Sequence, residues 1–590
     1  MPRGVATREL MSVLAPWRSI LGLVAVCVLL GALLELVPPL VLRQVIDAHV
    51  TTGQADGLLE LGVLYLGATA LALAVGFGGT YLAALSAQGA LHALRVRLFA
   101  HVQRLPISYF DRTPLGDVIS RCTADVETVD TLFSSGVSQL VANLVRLIFV
   151  AAAMVVLSPP LALVSALVLP VLIVVTRFFQ VRVRAAERDN RRAIGALNTH
   201  LQETLSGVEI IRPFARESVF VARFRVVLAA TVAAFNRATF YAALYPPVTA
   251  TLSAISIAVL LWMGTGGALA GWGVSIGTLT AFLILFQQFF TPITALGDEW
   301  QTVQSALSGA ERIFDVLGTP ADDLVTAPAP MDARSAEPIE VREVVFGYAP
   351  ERPIVRGVSL TVRAGEHVAL VGRTGTGKTS LLHLLGGLYT PWSGTVRVAG
   401  RDPRALSPDE RRQVVGVVPQ QVQLFGGTVR DNVAFGDPTV SLDAVRRALT
   451  LVGAMDVVDT LPNGMDTPLS SGRGAGVQLS GGQRQLLALA RALVWEPQVL
   501  LLDEATAAID AASDAAFRAA LRSAVLARGC GVLTVAHRLS TAREADRVVV
   551  VEHGRVVEEG SPDDLIRRGG RFAALVELEA AGWDWKVDVP

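Results

Sequence analysis

The run Gly372-Arg373-Thr374-Gly375-Thr376-Gly377-Lys378-Thr379-Ser380 places three glycines, one lysine and a pair of hydroxyls at the spacing of a phosphate-binding loop. The preceding Val368-Ala369-Leu370-Val371 reads as a buried strand, and Ser380-Leu381-Leu382 reads as the opening of a helix, the order such a loop requires. Gly372, Gly375 and Gly377 let backbone N–H groups turn toward a β-phosphate, with Thr374 carried between them, and the helix N-terminus favours the anion. Lys378 puts a compact ammonium between β- and γ-phosphates, and the Thr379 hydroxyl suits Mg²⁺. Of 51 basic residues only Lys378 and Lys586 are lysine, so a lysine in this loop marks a place that a guanidinium fork does not fill.

A second apolar strand, Val499-Leu500-Leu501-Leu502, ends on Asp503-Glu504. Two adjacent carboxylates at a strand end divide naturally into a metal ligand and a general base. Asp503 suits the Mg²⁺ shell and Glu504 the polarisation of an attacking water.

These residues need a sheet to carry them, and the chain after Ile339 supplies one. Short β-rich runs alternate with helical segments, as in an α/β domain with a largely parallel sheet. The first half reads differently. Six apolar stretches, 20–42, 61–85, 137–157, 159–176, 240–263 and 274–296, each reach the length that crosses a hydrocarbon core as helix. The expected fold is thus a six-helix all-α transmembrane domain followed by an α/β ATPase domain with a phosphate loop. Its divisions are a membrane domain over 1–318, a linker over 319–338, the nucleotide domain over 339–577 and a tail over 578–590.

Arginines concentrate in the leader and in the connections after the second and fourth stretches, so the positive-inside rule sets both termini in the cytoplasm. Those two connections carry apolar residues at helical spacing and turn near Pro106–Gly116 and Gly207. Within the apolar stretches, Glu35 and Arg146 are costly and mark candidate functional residues; pairing for structural reasons alone is the competing reading. The net charge of −1 gives no basic field for a nucleic-acid partner, and three scattered cysteines form neither a disulfide framework nor a zinc site.

Leu479-Ser480-Gly481-Gly482-Gln483 lies between the two halves of the phosphate site, and with it the chain resembles the ATP-binding cassette family. The likeness extends to Tyr348 in Phe346-Gly347-Tyr348, Gln420 after Val418-Pro419, and His537 in Ala536-His537-Arg538. It also covers the membrane half, where Leu105–Asp117 and Thr204–Arg212 are similar to the coupling segments of exporters. The resemblance implies that Tyr348 stacks on adenine, Gln420 senses Mg²⁺ and the γ-phosphate, and His537 clamps the γ-phosphate. It further implies that Ser480, Gly482 and Gln483 act in trans on ATP held by a second half-transporter. The expected activity is ATP hydrolysis coupled to transport by alternating access, most simply export of a small molecule, lipid or peptide across a bacterial inner membrane.

Three departures stand out. Ala507 and Ala508 follow Glu504 where the family usually begins with serine, the segment Thr467–Gly476 is long and lacks a customary glutamate, and Leu486 replaces a common arginine. They resemble the catalytic chain of heterodimeric exporters and set the expectation of a heterodimer over a homodimer. An importer on the same fold, an ATP-gated channel and a regulatory ATPase are the alternatives. The apolar spans carry too few polar groups to name a substrate.

Overall fold

The computed structural model describes the chain apart from residues 1, 2, 54, 266–273, 323–335, 471–475, 504–514, 516, 520, 523–528, 537 and 581–590. It forms two compact units, one from Met1–Gln103 and Leu115–Pro320, the other from Arg104–Pro114 and Ala321–Pro590.

Among the described residues, the first unit contains six helices long and apolar enough to cross a membrane: Arg8–Val50, Leu58–Val102, Leu115–Leu157, Pro159–Ser206, Glu217–Trp262 and Ile276–Ile293. The first five run for 43 to 48 residues, or ~65–72 Å at 1.5 Å per residue. A hydrocarbon core is about 30 Å thick, so these helices outrun the bilayer and continue beyond it as helix, in keeping with the periodicity of the connections. The turns fall where the sequence places them. A short helix, Ile107–Arg112, fills the first connection, and Val208–Ile211 follows Gly207 in the second. Pro246 and Pro247 lie inside one continuous helix, Glu217–Thr265, which packed neighbours tolerate at membrane depth. The apolar centre of this unit gathers Met154, Leu172, Leu260, Phe282 and Phe286.

At one end of the bundle, Asp47 ties the first span to the last. Its carboxylate accepts from the Ser275 hydroxyl at 2.5 Å and from Gly277 N at 2.9 Å. Ser275 is itself the N-cap of the last helix, accepting from Thr278 N. Two donors that helix geometry leaves without partners are thereby satisfied. A Cβ at Gly277 would sit 2.4 Å from the Arg43 carbonyl, so glycine is required for this approach.

The described residues of the second unit include eleven strands. The first six are β1 (Ile339–Phe346), β2 (Val355–Val362), β3 (His367–Val371), β4 (Ser393–Val398), β5 (Val415–Val418) and β6 (Gly427–Thr428). The remainder are β7 (Pro468–Leu469), β8 (Val499–Asp503), β9 (Gly531–Val535), β10 (Arg547–Glu552) and β11 (Arg555–Gly560). A main sheet runs β11-β10-β3-β9-β8-β5, and an antiparallel sheet runs β2-β1-β4. Within the main sheet β10, β3, β9, β8 and β5 are parallel, and only the edge strand β11 is antiparallel. Strands covered on both faces read as unbroken apolar runs rather than alternating ones. That is why β8 and β9 are buried at every residue. One apolar cluster fills the space between the two sheets, with Val341, Leu360, Leu381 and Leu501 among its members. A second packs Leu486, Leu487 and Leu489 of the helix Gly481–Leu493 against β5 and β8.

His367, at the start of β3, is held neutral by burial, with its pKa lowered to about 4. Its Nε2 lies 2.9 Å from Thr534 Oγ1, and its backbone N donates to Asp546. The unfolded chain takes up this proton near pH 6.5, so stability from the neutral ring is present above that pH and lost as pH falls toward about 4. The loss over that window is about 3 kcal/mol at most. Thermal unfolding of the purified protein between pH 7 and pH 4.5 should show a midpoint that falls less steeply in His367→Gln than in the unsubstituted chain; parallel curves would remove His367 from this account.

Candidate functional site

Parallel pairing decides where the reactive residues lie. Val535 of β9 stands opposite Leu370 of β3 on one side and Asp503 of β8 on the other. The phosphate loop leaves β3 one residue after Leu370, so loop and carboxylate emerge at one edge of the sheet, β9 lying between. Gln420 follows β5 by two residues and reaches the same edge. His537 is placed two residues after β9 by sequence, and Glu504 directly after β8; both lie outside the described residues, as do Ala507 and Ala508. In open parallel sheets, ligands bind beyond the carboxyl ends of the strands.

The loop geometry is specific. Gly377 has φ +97° and is the residue before the helix Lys378–Leu385. A Cβ at Gly372 would lie 2.2 Å from the Val551 carbonyl on β10, so no side chain fits at that corner. Lys378 is buried, and its Nζ donates to the carbonyls of Gly372 at 2.6 Å and Arg373 at 2.8 Å. The ammonium is thus held against the start of the loop that Gly372, Thr374, Gly375 and Gly377 belong to. Thr379 Oγ1 donates to Asp503 Oδ1 at 3.2 Å, which brings the two expected metal-binding oxygens together across 124 residues of chain. Burial pushes the Asp503 carboxyl above its usual range, and the Thr379 hydroxyl pulls it back down.

Tyr348, two residues after β1, places its hydroxyl 3.1 Å from Ser380 Oγ and 3.2 Å from His383 Nδ1. Its ring meets Phe346 and Tyr389 edge-on, with centroids 5.2 Å and 5.3 Å away. Burial raises the Tyr348 hydroxyl pKa and lowers that of His383, so both are neutral near pH 7. These rings border a cavity of about 900 Å³ whose lining also includes Trp392 and, from the short helix Ile107–Arg112, Ser108, Asp111 and Arg112. Tyr389 donates its hydroxyl to Asp111 at 2.5 Å, and burial together with that carboxylate pushes its pKa up. The same segment is fastened at its start, where Asp322 N donates to the Arg104 carbonyl at 2.7 Å and Arg404 pairs with Asp322.

The residues Ser480 to Gln483 have a local role. Ser480 Oγ accepts from Gln483 N at 3.2 Å and Gln483 Oε1 accepts from Ser480 N at 2.9 Å, a capping box at the head of the helix Gly481–Leu493. Gly482 is buried in its first turn. Arg491 of this helix donates to the carbonyls of Gln423 and Asn432, which links the signature helix to the segment after Gln420. In the membrane half, Arg146 Nε and Nη2 grip both carboxylate oxygens of Glu35. The sequence reading missed His383 and Tyr389, and it gave Asp111 no role of its own within the segment Leu105–Asp117. His383 was findable as a histidine five residues past Lys378 on the same helix; the Tyr389–Asp111 bond spans 278 residues and had no local signal. The S-x-x-Q spacing of the capping box was visible in the sequence.

Comparisons with known proteins fit this geometry. Residues 21–293 match the family described as ABC transporter transmembrane region, and 355–507 the family described as ABC transporter. The chain is 32% identical, over 97% of its length and 94% of the relative's, to an uncharacterized ABC transporter ATP-binding protein of Bacillus subtilis. It is 34% identical to a fatty acid ABC transporter ATP-binding/permease protein of Mycobacterium tuberculosis, over 83% of this chain and 76% of that one. An ATP-dependent lipid A-core flippase of Syntrophus aciditrophicus is 33% identical over 82% of this chain and 80% of its own. Among solved structures, a bacterial Atm1-family ABC exporter with ATP bound superposes with a TM-score of 0.75 at 27% identity, covering 96% of this chain and 99% of that one. With six membrane-crossing helices and one ATP-binding unit fused in a single chain, this protein belongs to the ABC transporter family: it is a half-transporter that dimerises, hydrolyses ATP and couples that hydrolysis to movement of a substrate across a membrane.

Proposed function

We propose that this chain exports an amphipathic compound from the cytoplasmic side of a bacterial inner membrane, using ATP and Mg²⁺. The observation that carries the reading is the Thr379–Asp503 contact beneath a glycine loop closed around Lys378. Two hard oxygen donors, Thr379 and Asp503, beside the site of the terminal phosphates would hold Mg²⁺, an ion that takes oxygen ligands. Bound there, the ion would neutralise charge that develops on the transferring phosphoryl group. Lys378 would do the same from the loop side. Tyr348 offers its ring to adenine while Ser380 and His383 fix its tilt. Glu504 would accept the proton of the attacking water, and Gln420 and His537 would orient that water and the γ-phosphate. Ser480, Gly482 and Gln483 would close on nucleotide held by the partner half. Removing a general base costs ~10²–10⁴-fold. Glu504→Gln should therefore bind ATP normally and lose turnover by that factor, whereas normal turnover would reject the assignment.

Export is supported by likeness to an Atm1-family exporter and to a lipid A-core flippase. The fatty acid transporter among the relatives also favours an amphiphile as substrate. Both termini and the ATPase unit would face the cytoplasm, as the arginine distribution requires. An impermeant thiol reagent should then fail to label a cysteine placed at Arg188 in sealed cells, and labelling there would invert the topology.

The partner proposed is a different half-transporter with a degenerate ATP site. The phosphate loop, Gln420, Asp503, Glu504 and His537 are all present in this chain, while Ala507, Ala508 and the segment Thr467–Gly476 depart from the family pattern. Leu486 carries no weight here, because it packs into the apolar cluster beneath its own helix and has a local reason to be apolar. Expressed alone and purified in detergent, the chain should give little ATPase activity. A stable homodimer with brisk turnover at two equivalent sites would refute the heterodimer.

A further inference from the structure

The Glu35–Arg146 pair does more than neutralise two charges. Glu35 and Arg146 lie within apolar stretches of the first and third spans, yet about a third of each side chain remains accessible. They border a cavity of about 180 Å³ between the first three spans, whose walls include Cys27, Thr80, Gln139 and Asn143. An ion pair left open to lipid tails at this depth would be costly, so the cavity must present it to something polar. The volume suffices for several waters or one small polar group.

Donors and acceptors are unequal there. A guanidinium has five N–H groups. Two of them, on Nε and Nη2, meet the Glu35 carboxylate, and the other three meet no protein acceptor among the described residues. Asn143 Nδ2 is already committed to Glu299 at 2.6 Å, and the Thr80 hydroxyl to the Gly76 carbonyl. The three outer N–H groups of Arg146 thus form the one cationic donor edge in the lining, a planar fork suited to paired oxygens. The rest of the lining is largely apolar, with Val24 and Val28 of the first span and Ala72 and Val75 of the second among its residues.

We propose that this cavity is a headgroup pocket for an amphiphile ending in an oxyanion, a phosphate or a carboxylate. Its oxygens accept from the outer N–H groups of Arg146, and its chain lies along the apolar part of the lining, Val24, Val28 and Val75. Glu35 acts as a positioning residue that holds the fork side-on. The inference extends the amphiphile reading above by naming the head group and where it rests. It also explains why an arginine that already has a carboxylate partner is left open on its far edge.

The test reads binding directly, without ATP turnover, so failure of the export reading leaves its result intact. The full chain in a neutral maltoside detergent would be titrated with dodecyl phosphate, dodecanol, dodecyltrimethylammonium and inorganic phosphate, and occupancy followed by native mass spectrometry. Dodecyl phosphate should bind, the alcohol and the ammonium far more weakly, and inorganic phosphate not detectably. Arg146→Lys keeps the charge opposite Glu35 but loses the fork and should weaken dodecyl phosphate about tenfold or more, the loss of a charge-assisted hydrogen bond. Glu35→Gln puts an amide N–H where one of the two oxygens facing the fork stood, so it should loosen the fork and weaken dodecyl phosphate as well. Should Arg146→Lys misfold, Ala142→Phe fills the same cavity without touching the pair and should abolish binding. Equal affinity for all three head groups, undiminished binding in Arg146→Lys or Ala142→Phe, or saturation by inorganic phosphate alone would each overturn the proposal.

Discussion

Parallel pairing of β3, β9 and β8 is the constraint on which the ATP-binding unit depends. A parallel sheet sends every strand out at the same edge, so the loops that leave neighbouring strands are forced to meet there. The level pairing of Leu370, Val535 and Asp503 aligns the ends of the three strands. Shifting β8 by one residue would turn Asp503 to the other face and break the Thr379 contact. The corner after β3 tolerates only glycine, because the Val551 carbonyl of β10 occupies the place of a Cβ. Lysine, hydroxyl and carboxylate are close together because the backbone leaves them no other arrangement.

The membrane unit obeys a different solvent. Helices there satisfy their own backbones, so prolines that would end a soluble helix lie inside a continuous one, and length is set by reach rather than by caps. Charge is the feature that calls for a physical reason. Glu35 and Arg146 answer each other, and Asp47 answers the first turn of the last span. The long helices then carry the chain into Ile107–Arg112, whose Asp111 receives the Tyr389 hydroxyl among the aromatic rings that border the Tyr348 cavity. Arg104–Pro114 is part of the second unit, and within it Asp111 is bonded to Tyr389 and Arg104 to Asp322.

Much of this was legible in the sequence, for identifiable reasons. The phosphate loop is a local conformation written in glycines, and membrane spans are a matter of length and composition; both can be read without tertiary information. Charge at membrane depth is rare enough that Glu35 and Arg146 could be singled out and their pairing considered. The bonds from Tyr389 to Asp111 and from Arg404 to Asp322 could not, since each joins residues whose neighbourhood is created by folding. Ser480 and Gln483 show a subtler limit: family likeness assigned them to nucleotide in trans, while the structure also gives them a capping box in their own helix. Leu486 looked like a departure with functional meaning and is accounted for by packing.

The central claim is that hydrolysis at this sheet edge drives a solute through the helices. It is tested most directly by reconstituting the transporter, with its partner half if one is required, into sealed vesicles, and measuring phosphate release and movement of fluorescent amphiphiles in the same sample. The account predicts movement that needs hydrolysable ATP and disappears together with turnover when Lys378 is replaced by alanine. Amphiphile movement that continues at full rate in Lys378→Ala, or that proceeds without ATP, would contradict it.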